Sequence, residues 1–319
     1  TGWTINALTS RDFYWIGNNG PWSDGNRWSL SSGGPAFGCT PLQMDNVYFD
    51  ANSYSATGQT TTIDVPAFCR NMTWTGVTNN PTLAGATSLK IYGSLTFVPG
   101  MNLTFTGPVS FDATALGNTV TTGGKSFNNT VTFNGIGGGW TLLDALTSTN
   151  DLLLNKGTLT TNNQTVNART FFSTSGTART LNMGSSIFNL SSTSGIWSAT
   201  TAGMTLNCGT SIINSTTNVA GNNPIFNGGN LTYYDMNFVG VNTNSGLING
   251  NNIFHNVSFA ADGSISGNNT INNATFSKNG TIQGNNTYNN LTFSAGYTYV
   301  LTNGRTQTIL GQFLIQGSC

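Results

Sequence analysis

Residues 251–293 read NNIFHNVSFAADGSISGNNTINNATFSKNGTIQGNNTYNNLTF, and this stretch decides the fold. An Asn pair begins at residues 251, 268 and 285, so the segment repeats with a step of 17 residues. Aligned on that step, apolar residues stand over apolar residues, in four columns: Phe254, Ile271 and Tyr288; Val257, Ala274 and Leu291; Phe259, Phe276 and Phe293; and Ile265, Ile282 and Tyr299. A repeat this short cannot bury its apolar side chains alone and must stack on its neighbours, as in a solenoid.

The local pattern indicates which solenoid this is. Apolar and polar residues alternate in NATF and NLTF, which is the period of a half-buried β-strand, and no stretch has the apolar spacing of a helix. Gly and Asn lie between the strands and tolerate the positive φ of sharp corners. We therefore predict an all-β parallel β-helix, wound to the right as parallel crossovers usually are. Its inward core ladder consists of Phe254, Ile271, Tyr288, Phe259, Phe276 and Phe293, with Asn ladders at the corners.

The N-terminal part of the chain has a different character. Residues 1–65 contain Trp15, Trp22 and Trp28, and we predict that they cap the solenoid and hide the apolar face of its first coil. A sugar-stacking platform is the alternative for these Trp side chains. Residues 66–319 are predicted to be β-helix repeats, because FNNTVTF at 127–133 already resembles YNNLTF at 288–293. The chain ends in mid-coil, so we expect the repeats to continue beyond residue 319 in a longer protein.

Composition disfavours two classes of partner. The chain has 319 residues, of which only 6% are charged, with 10 Lys and Arg balanced by 10 Asp and Glu. Without a basic excess or cluster, neither nucleic acid nor an anionic membrane surface is an expected partner. No apolar run is long enough to span a bilayer, so membrane insertion is not expected either.

Four cysteines occur, at 39, 69, 208 and 319. Cys39 and Cys69 both lie in turn-like contexts of the least repetitive region, and we predict a disulfide between them. The alternative is a pair of buried thiols. Cys208 is expected to occupy a core or corner position as a small apolar residue.

Residues that carry catalysis are sparse. The chain has no Glu and one His, and Asp235 and Asp262 are the only carboxylates after residue 151. Their separation places them out of register in the stack, whereas glycoside hydrolysis needs two facing carboxylates. His255 is expected to be a corner member of the Asn ladder. We predict that the chain is not an enzyme.

No cofactor is predicted from a motif, and calcium is the one metal for which candidate ligands exist. Asp24, Asp45 and Asp50 lie in oxygen-rich loops near the N-terminus. Such loops can hold calcium, but Asp and Asn are also ordinary turn formers.

One family resemblance rests on four segments of the chain: FYWIGNNGPWSDGNRWSLSSGG at 13–34, CTPLQMDNVYFDANSY at 39–54, TIDV at 62–65 and CRNMTWTG at 69–76. Residues 13–76 resemble the start of very large secreted surface proteins of Bacteroidota, including adhesin-like proteins that the type IX secretion system exports and that are associated with gliding motility. The later coils resemble them only in style. The resemblance implies an extracellular protein attached to the outer membrane, with the β-helix as a stalk or display surface.

The expected function is therefore that of a structural and adhesive segment of a large cell-surface adhesin, which mediates surface attachment or gliding. Its expected partners are other segments of the larger protein, the secretion and attachment machinery, and a polysaccharide or abiotic surface. A carbohydrate-binding or polysaccharide-degrading β-helix is the alternative, suggested by Asn-rich surfaces and by Tyr233, Tyr234, Tyr297 and Tyr299. An ice-binding or surface-layer module would need one flat Thr-rich face.

Overall fold

The structure is a computed structural model, and it describes residues 9–316. Parallel strands stack into a β-solenoid of about 12 turns. No α-helix occurs in residues 9–316, and the helical content there is a single 3-10 turn, Gly25–Arg27. The same residues contain no helix long and apolar enough to cross a membrane. The chain forms two compact units, Thr1–Trp140 and Thr141–Cys319.

The first unit consists of short strands joined by turns. They are β1 (Asp12–Trp15), β2 (Gly20–Pro21), β3 (Trp28–Ser29), β4 (Asn46–Tyr48), β5 (Thr60–Ile63), β6 (Ala67–Cys69), β7 (Met72–Thr73), β8 (Thr82–Gly85), β9 (Leu89–Ile91), β10 (Leu95–Thr96), β11 (Asn102–Leu103), β12 (Val109–Phe111), β13 (Asn118–Thr121) and β14 (Ser126–Phe127). Strand β15 (Val131–Leu142) passes the boundary between the units. Strands of successive coils pair in parallel, as β4 does with β7 and β5 with β8.

The N-terminal edge of the first unit is closed by a segment that leaves the coil. Strand β1 pairs in parallel with β4 on one side, with Phe13 opposite Val47. On its other side it pairs antiparallel with β3, with Trp15 opposite Trp28. The segment between β2 and β4, which contains β3, therefore covers the outer edge of β1. The boundary of the cap at residue 65 stays a prediction. Covering a strand edge prevents uncontrolled pairing with other strands.

An aromatic cluster fills the interior beneath this segment. Phe13, Trp15, Trp22 and Trp28 are all at most 2% exposed. The ring centroids of Trp22 and Trp28 are 4.7 Å apart, and those of Trp15 and Trp28 are 5.0 Å apart, both in edge-to-face geometry. The predicted role of the Trp residues as an apolar plug is confirmed, and as buried rings they offer no sugar-stacking platform.

The second unit contains longer strands in a more regular stack. They are β16 (Leu146–Ser148), β17 (Asp151–Thr160), β18 (Val166–Ala168), β19 (Thr170–Ser173), β20 (Arg179–Asn182), β21 (Ile187–Leu190), β22 (Gly195–Ala199), β23 (Met204–Asn207), β24 (Ile212–Ser215), β25 (Ile225–Asn227), β26 (Thr232–Phe238), β27 (Ser245–Asn249), β28 (Ile253–Phe259), β29 (Asp262–Ile265), β30 (Thr270–Phe276), β31 (Gly280–Ile282), β32 (Asn286–Phe293), β33 (Tyr299–Leu301), β34 (Gln307–Ile309) and β35 (Phe313–Ile315). Strands β18, β21, β24, β26, β28, β30 and β32 follow one another in one parallel sheet, here called the long sheet. Strands β25, β27, β29, β31 and β33 follow one another in a second sheet.

The register of the long sheet follows the 17-residue step. Phe254 lies opposite Ile271, which lies opposite Tyr288, and all three side chains are buried. Phe259, Phe276 and Phe293 form a second buried column, in which the first two rings stack 4.8 Å apart. These are the core ladders expected from the sequence. Truncating one such Phe to Ala would cost about 3–5 kcal/mol of unfolding free energy.

The predicted alignment of Tyr299 with Ile265 and Ile282 is wrong. Ile265 does pair with Ile282, but Ile282 pairs with Leu301, and Tyr299 lies opposite Gly280. The last coil therefore contains two more residues than a 17-residue step allows. The parallel backbone pairing continues because the additional residues are accommodated between strands.

A buried column of amides lies beside these ladders. Asn252, Asn269 and Asn286 are each at most 2% exposed. The Oδ1 atom of Asn269 accepts from the backbone N–H of Asn252 at 2.9 Å, and Oδ1 of Asn286 accepts from the N–H of Asn269 at 2.8 Å. Buried polar groups need such partners, so the Asn pair of each repeat satisfies the backbone at the corner.

Candidate functional site

The three candidate calcium ligands each have partners within the protein. Asp45 is fully buried, and its carboxylate accepts from Nε and a terminal nitrogen of Arg11 at 3.2 and 2.9 Å and from the N–H of Leu42 at 2.9 Å. The Arg11 hydrogen bond is the main reason why the pKa of that guanidinium is raised. Asp45 is therefore an ion-pair partner that ties β1 to the loop before β4.

Asp24 and Asp50 organise their own turns. Asp24 Oδ1 accepts from the N–H of Asn26 at 3.0 Å and caps the 3-10 turn. Asp50 Oδ1 accepts from the N–H of Asn52 at 2.9 Å. Across residues 9–316, no three His, Cys, Asp or Glu side chains come together as a metal-binding group. The roles seen for these carboxylates are those of ordinary turn formers.

The predicted disulfide between Cys39 and Cys69 is wrong, because both residues are free cysteines in the structure. Cys69 ends β6, where it lies opposite Ile91, is fully buried and has its thiol pKa raised by that burial. Cys39 is exposed, in the segment between β3 and β4. The AFC sequence resembles a turn, but it forms strand β6, in which Ala67 and Cys69 face inward. Of the two thiols, only that of Cys39 is therefore at the surface. Cys208 is partly exposed, and Cys319 lies outside the described residues.

The four Tyr residues considered for carbohydrate binding separate into two groups. The buried Tyr233 hydroxyl donates to the carbonyl oxygen of Gly228 at 2.7 Å. The ring of Tyr299 stacks on Phe293 with centroids 3.9 Å apart. Tyr234 is partly exposed and Tyr297 is 44% exposed. Tyr233 belongs to the core, whereas Tyr234, Tyr297 and Tyr299 all remain at least partly exposed.

Tyr234 belongs to a small polar cluster on the outer face of the long sheet. Its ring stacks on the imidazole of His255 with centroids 4.2 Å apart and planes 15° apart. Nδ1 of His255 lies 3.2 Å from Oδ1 of Asp235, which also accepts from Nδ2 of Asn256 at 2.7 Å. Two consecutive residues of β26 and of β28 face outward here, since Tyr234 and Asp235, like His255 and Asn256, are only partly buried.

The Asn ladder on these strands includes Asn256, the residue after His255, and not His255 itself. Asn256 donates to Asp235 of the preceding coil, and the amides of Asn273 and Asn290 each donate to Oδ1 of the preceding Asn, at 2.7 and 2.8 Å. His255 thus lies beside the ladder as the stacking partner of Tyr234. Asp235 is in β26 and Asp262 in β29, which belong to different sheets, so these two carboxylates do not pair.

A longer ladder on the same outer face was not foreseen from the sequence. It consists of Asn167, Asn189, Asn214 and Asn237, here called the amide column, and each Nδ2 donates to the side-chain oxygen of the preceding coil. The Nδ2 to Oδ1 distances within the column are 3.0, 3.0 and 3.2 Å. Ser258 extends it by donating to Oδ1 of Asn237 at 2.7 Å.

The amide column leaves hydrogen-bonding capacity at the surface. Each amide uses one N–H and one lone pair within the column, whereas an amide offers two of each. The column is partly exposed at every member. Its coil steps are 22, 25 and 23 residues, so no fixed period reveals it. The available signal is a single Asn directly after an apolar residue in each strand, as in IFNL and MNF.

A threonine column is present on another face, but it is short. Thr158, Thr180 and Thr205 lie opposite one another in β17, β20 and β23. The neighbouring column begins with Thr160 and continues with two Asn residues. This face lacks the repeated Thr-x-Thr pattern that an ice-binding surface needs.

Comparison with known proteins finds no matching family model, curated protein or solved structure. The resemblance of residues 13–76 to Bacteroidota surface proteins therefore stays a prediction.

Proposed function

We propose that this chain is a structural and adhesive β-solenoid segment of a large extracellular cell-surface protein, which attaches cells to polysaccharide or abiotic surfaces. The amide column carries the proposal. It repeats at the strand spacing of about 4.8 Å and presents similar free donors and acceptors from coil to coil. Many weak contacts of one kind along a line give multivalent binding to a repeating or extended surface.

The distribution of side-chain chemistry supports the same proposal. The large aromatic residues of both units are mostly buried in stacks, and only 6% of all residues are charged. The outer faces are rich in neutral amides and hydroxyls. Such groups form hydrogen bonds whose strength does not depend on ionic strength as that of ion pairs does.

Surface binding tests the adhesive role. Beads coated with the protein are applied to insoluble neutral polysaccharides and to glass, and retention under flow is measured. We expect the Asn189→Ser, Asn214→Ser variant to be retained several-fold less. The matched control is Asn182→Ser, Asn207→Ser, which removes an equivalent bonded amide pair from the other face, where Nδ2 of Asn207 donates to Asn182 at 2.7 Å. Equal retention of both variants, or no retention of the wild-type protein, would contradict the proposal.

The extracellular location is part of the proposal and rests on the resemblance of residues 13–76. Export by the type IX machinery and attachment to the outer membrane through other segments of the larger protein would place the solenoid outside the cell, where it serves adhesion or gliding. Protease treatment of intact cells that make the protein tests this location. Digestion is expected, and full protection until the cells are lysed would contradict it.

Carbohydrate processing is the second candidate, and the cluster of Tyr234, Asp235 and His255 is the observation that favours it. A carboxylate beside an imidazole can exchange protons, and an aromatic ring can pack on a sugar. Release of reducing ends from a polysaccharide panel tests this candidate. Activity that is lost in Asp235→Asn and kept in Asp262→Asn would favour it over a purely adhesive role.

A further inference from the structure

The last corner of the second unit carries an insertion. In successive coils the backbone N–H groups of Gln283 and Thr302 donate to the carbonyl oxygens of Ile265 and Ile282, so Gln283 and Thr302 occupy the same position. After that position, Asn285 follows Gln283 by two residues, whereas its successor Thr306, whose N–H donates to Oδ1 of Asn285, follows Thr302 by four. Two additional residues therefore protrude at this corner. Insertions in solenoid repeats form loops on one face, and that face is often the binding face.

The protruding loop forms one side of a concave groove of about 560 Å³. Its lining includes Ser266, Asn268, Gln283, Thr302 and Arg305. None of the lining residues carries a carboxylate. The groove therefore combines neutral hydrogen-bonding groups with one cation and has no internal counter-charge.

The polar groups of the groove are free to bind a ligand. Among the described residues, Arg305 has no hydrogen-bond or ion-pair partner, and neither do the side chains of Ser266, Gln283 and Thr302. Asn268 uses its Oδ1 to accept from the N–H of Asn285 at 2.8 Å, which leaves its Nδ2 free. By contrast, Arg11, Arg27 and Arg169 all pair with carboxylates.

We propose that this groove binds a carboxylate-bearing sugar unit of an acidic polysaccharide. The Arg305 guanidinium presents parallel N–H donors that match the two oxygens of a carboxylate. Asn268, Gln283 and Thr302 come from successive coils and line the same groove. Their amide and hydroxyl groups can form hydrogen bonds with the hydroxyl groups of the sugar. This inference extends the proposed adhesive function by naming a ligand class and a place, and it is independent of the amide column.

Binding of soluble polygalacturonate, measured by isothermal titration calorimetry, tests the groove, with methyl-esterified polygalacturonate as the uncharged counterpart. We expect binding of the acid form, no detectable binding of the ester, and at least about tenfold weaker binding of the acid by Arg305→Ala. Gln283→Ala should weaken binding several-fold. Arg70→Ala is the matched control, because it removes one exposed cation outside the groove.

The outcomes separate this inference from the proposed function. If Arg305→Ala and Arg70→Ala weakened polygalacturonate binding equally, the attraction would be non-specific, and the groove would not be the binding site. Binding of inorganic phosphate or sulfate with the same affinity as a galacturonate oligosaccharide would overturn the sugar assignment. Retention of coated beads on neutral polysaccharides without any polygalacturonate binding would refute the groove and leave the adhesive function intact.

Discussion

Replacing Asn269 by Ala should destabilise one corner of the regular coils. In the folded protein, Oδ1 of Asn269 accepts from both the backbone N–H and the Nδ2 of Asn252, at 2.9 and 3.3 Å. Its own Nδ2 donates to the carbonyl oxygen of Ser266 at 3.3 Å and to Oδ1 of Asn286 at 3.1 Å. Since Asn252 is only 1% exposed, water cannot replace the lost acceptor without opening the corner.

The magnitude follows from these contacts. The backbone N–H of Asn252 loses its acceptor, which costs about 1–3 kcal/mol for a buried donor. Nδ2 of Asn252 keeps the carbonyl oxygen of Asn249 at 2.9 Å, and Oδ1 of Asn286 keeps the N–H of Asn269 at 2.8 Å, so neither is left without a partner. Adding about 1 kcal/mol for the remaining lost hydrogen bonds, we expect a loss of about 3 kcal/mol in unfolding free energy.

The adjacent residue provides a matched control. Asn268 lies at the same corner and accepts from the N–H of Asn285 at 2.8 Å, but it is exposed. Water can take over that hydrogen bond, so Asn268→Ala should change the unfolding free energy by no more than about 0.5 kcal/mol.

Hydrogen exchange read by mass spectrometry resolves the effect locally, because stability differs between segments of a structure. Peptides that cover β28 and β30 should exchange about a hundredfold faster in Asn269→Ala, which is the factor that about 3 kcal/mol produces. In Asn268→Ala they should exchange nearly as in the wild-type protein. Equal exchange in the two variants would refute the reasoning that burial, rather than the hydrogen bond itself, sets the cost.

Four further predictions concern other parts of the chain. In urea unfolding, Gly284→Ala should lose about 1–2 kcal/mol more unfolding free energy than Gly296→Ala. Both glycines have positive φ, +86° and +80°, but a Cβ at 284 would collide with the carbonyl oxygen of Gly267, whereas nothing lies near a Cβ at 296. Equal losses would contradict this steric explanation. Arg179→Met should destabilise the second unit by at least about 3 kcal/mol in the same measurement. The buried guanidinium donates to the carbonyl oxygens of Ser173, Thr200 and Ala202 at 2.6, 2.9 and 2.6 Å. Arg169→Met removes only an exposed ion pair and should cost less than about 1 kcal/mol. Iodoacetamide should alkylate Cys39 in the native protein and leave Cys69 unmodified until the protein unfolds, as peptide mapping would show. A peptide pair linked through both residues would show that the two cysteines do form a disulfide. Burial tends to raise the Asp64 pKa, but the hydrogen bonds from Ser23 and from the backbone of Asp64 and Trp22 together outweigh it and lower the pKa. The carboxylate therefore stabilises the fold above its unfolded pKa and loses that contribution as pH falls through the folded pKa. Thermal unfolding of Asp64→Asn should depend less on pH in the acid range than that of the wild-type protein, and parallel profiles would exclude this role.

The Tyr234 cluster and the Asp45 ion pair show how far residue identity can be interpreted without a structure. His255 and Asp235 are recognisable as rare titratable residues in a poorly charged chain. Their contact depends on two adjacent outward residues in β26 and β28, a local departure from alternation. Asp45 resembles a metal ligand in its loop, but Arg11, which lies 34 residues earlier, occupies its oxygen atoms.

The sequence by itself determined the solenoid and the core register of residues 251–293, because a constant step of 17 residues aligns each apolar side chain with its equivalent in the next coil. Elsewhere the steps vary, and residue counting cannot align the coils. Only the tertiary structure decided that Cys69 faces inward, that four Asn residues form one column, and that Arg305 flanks a groove. The physical reason is that parallel backbone hydrogen bonds set which residues are neighbours, while corners absorb insertions of any length that leaves the pairing intact.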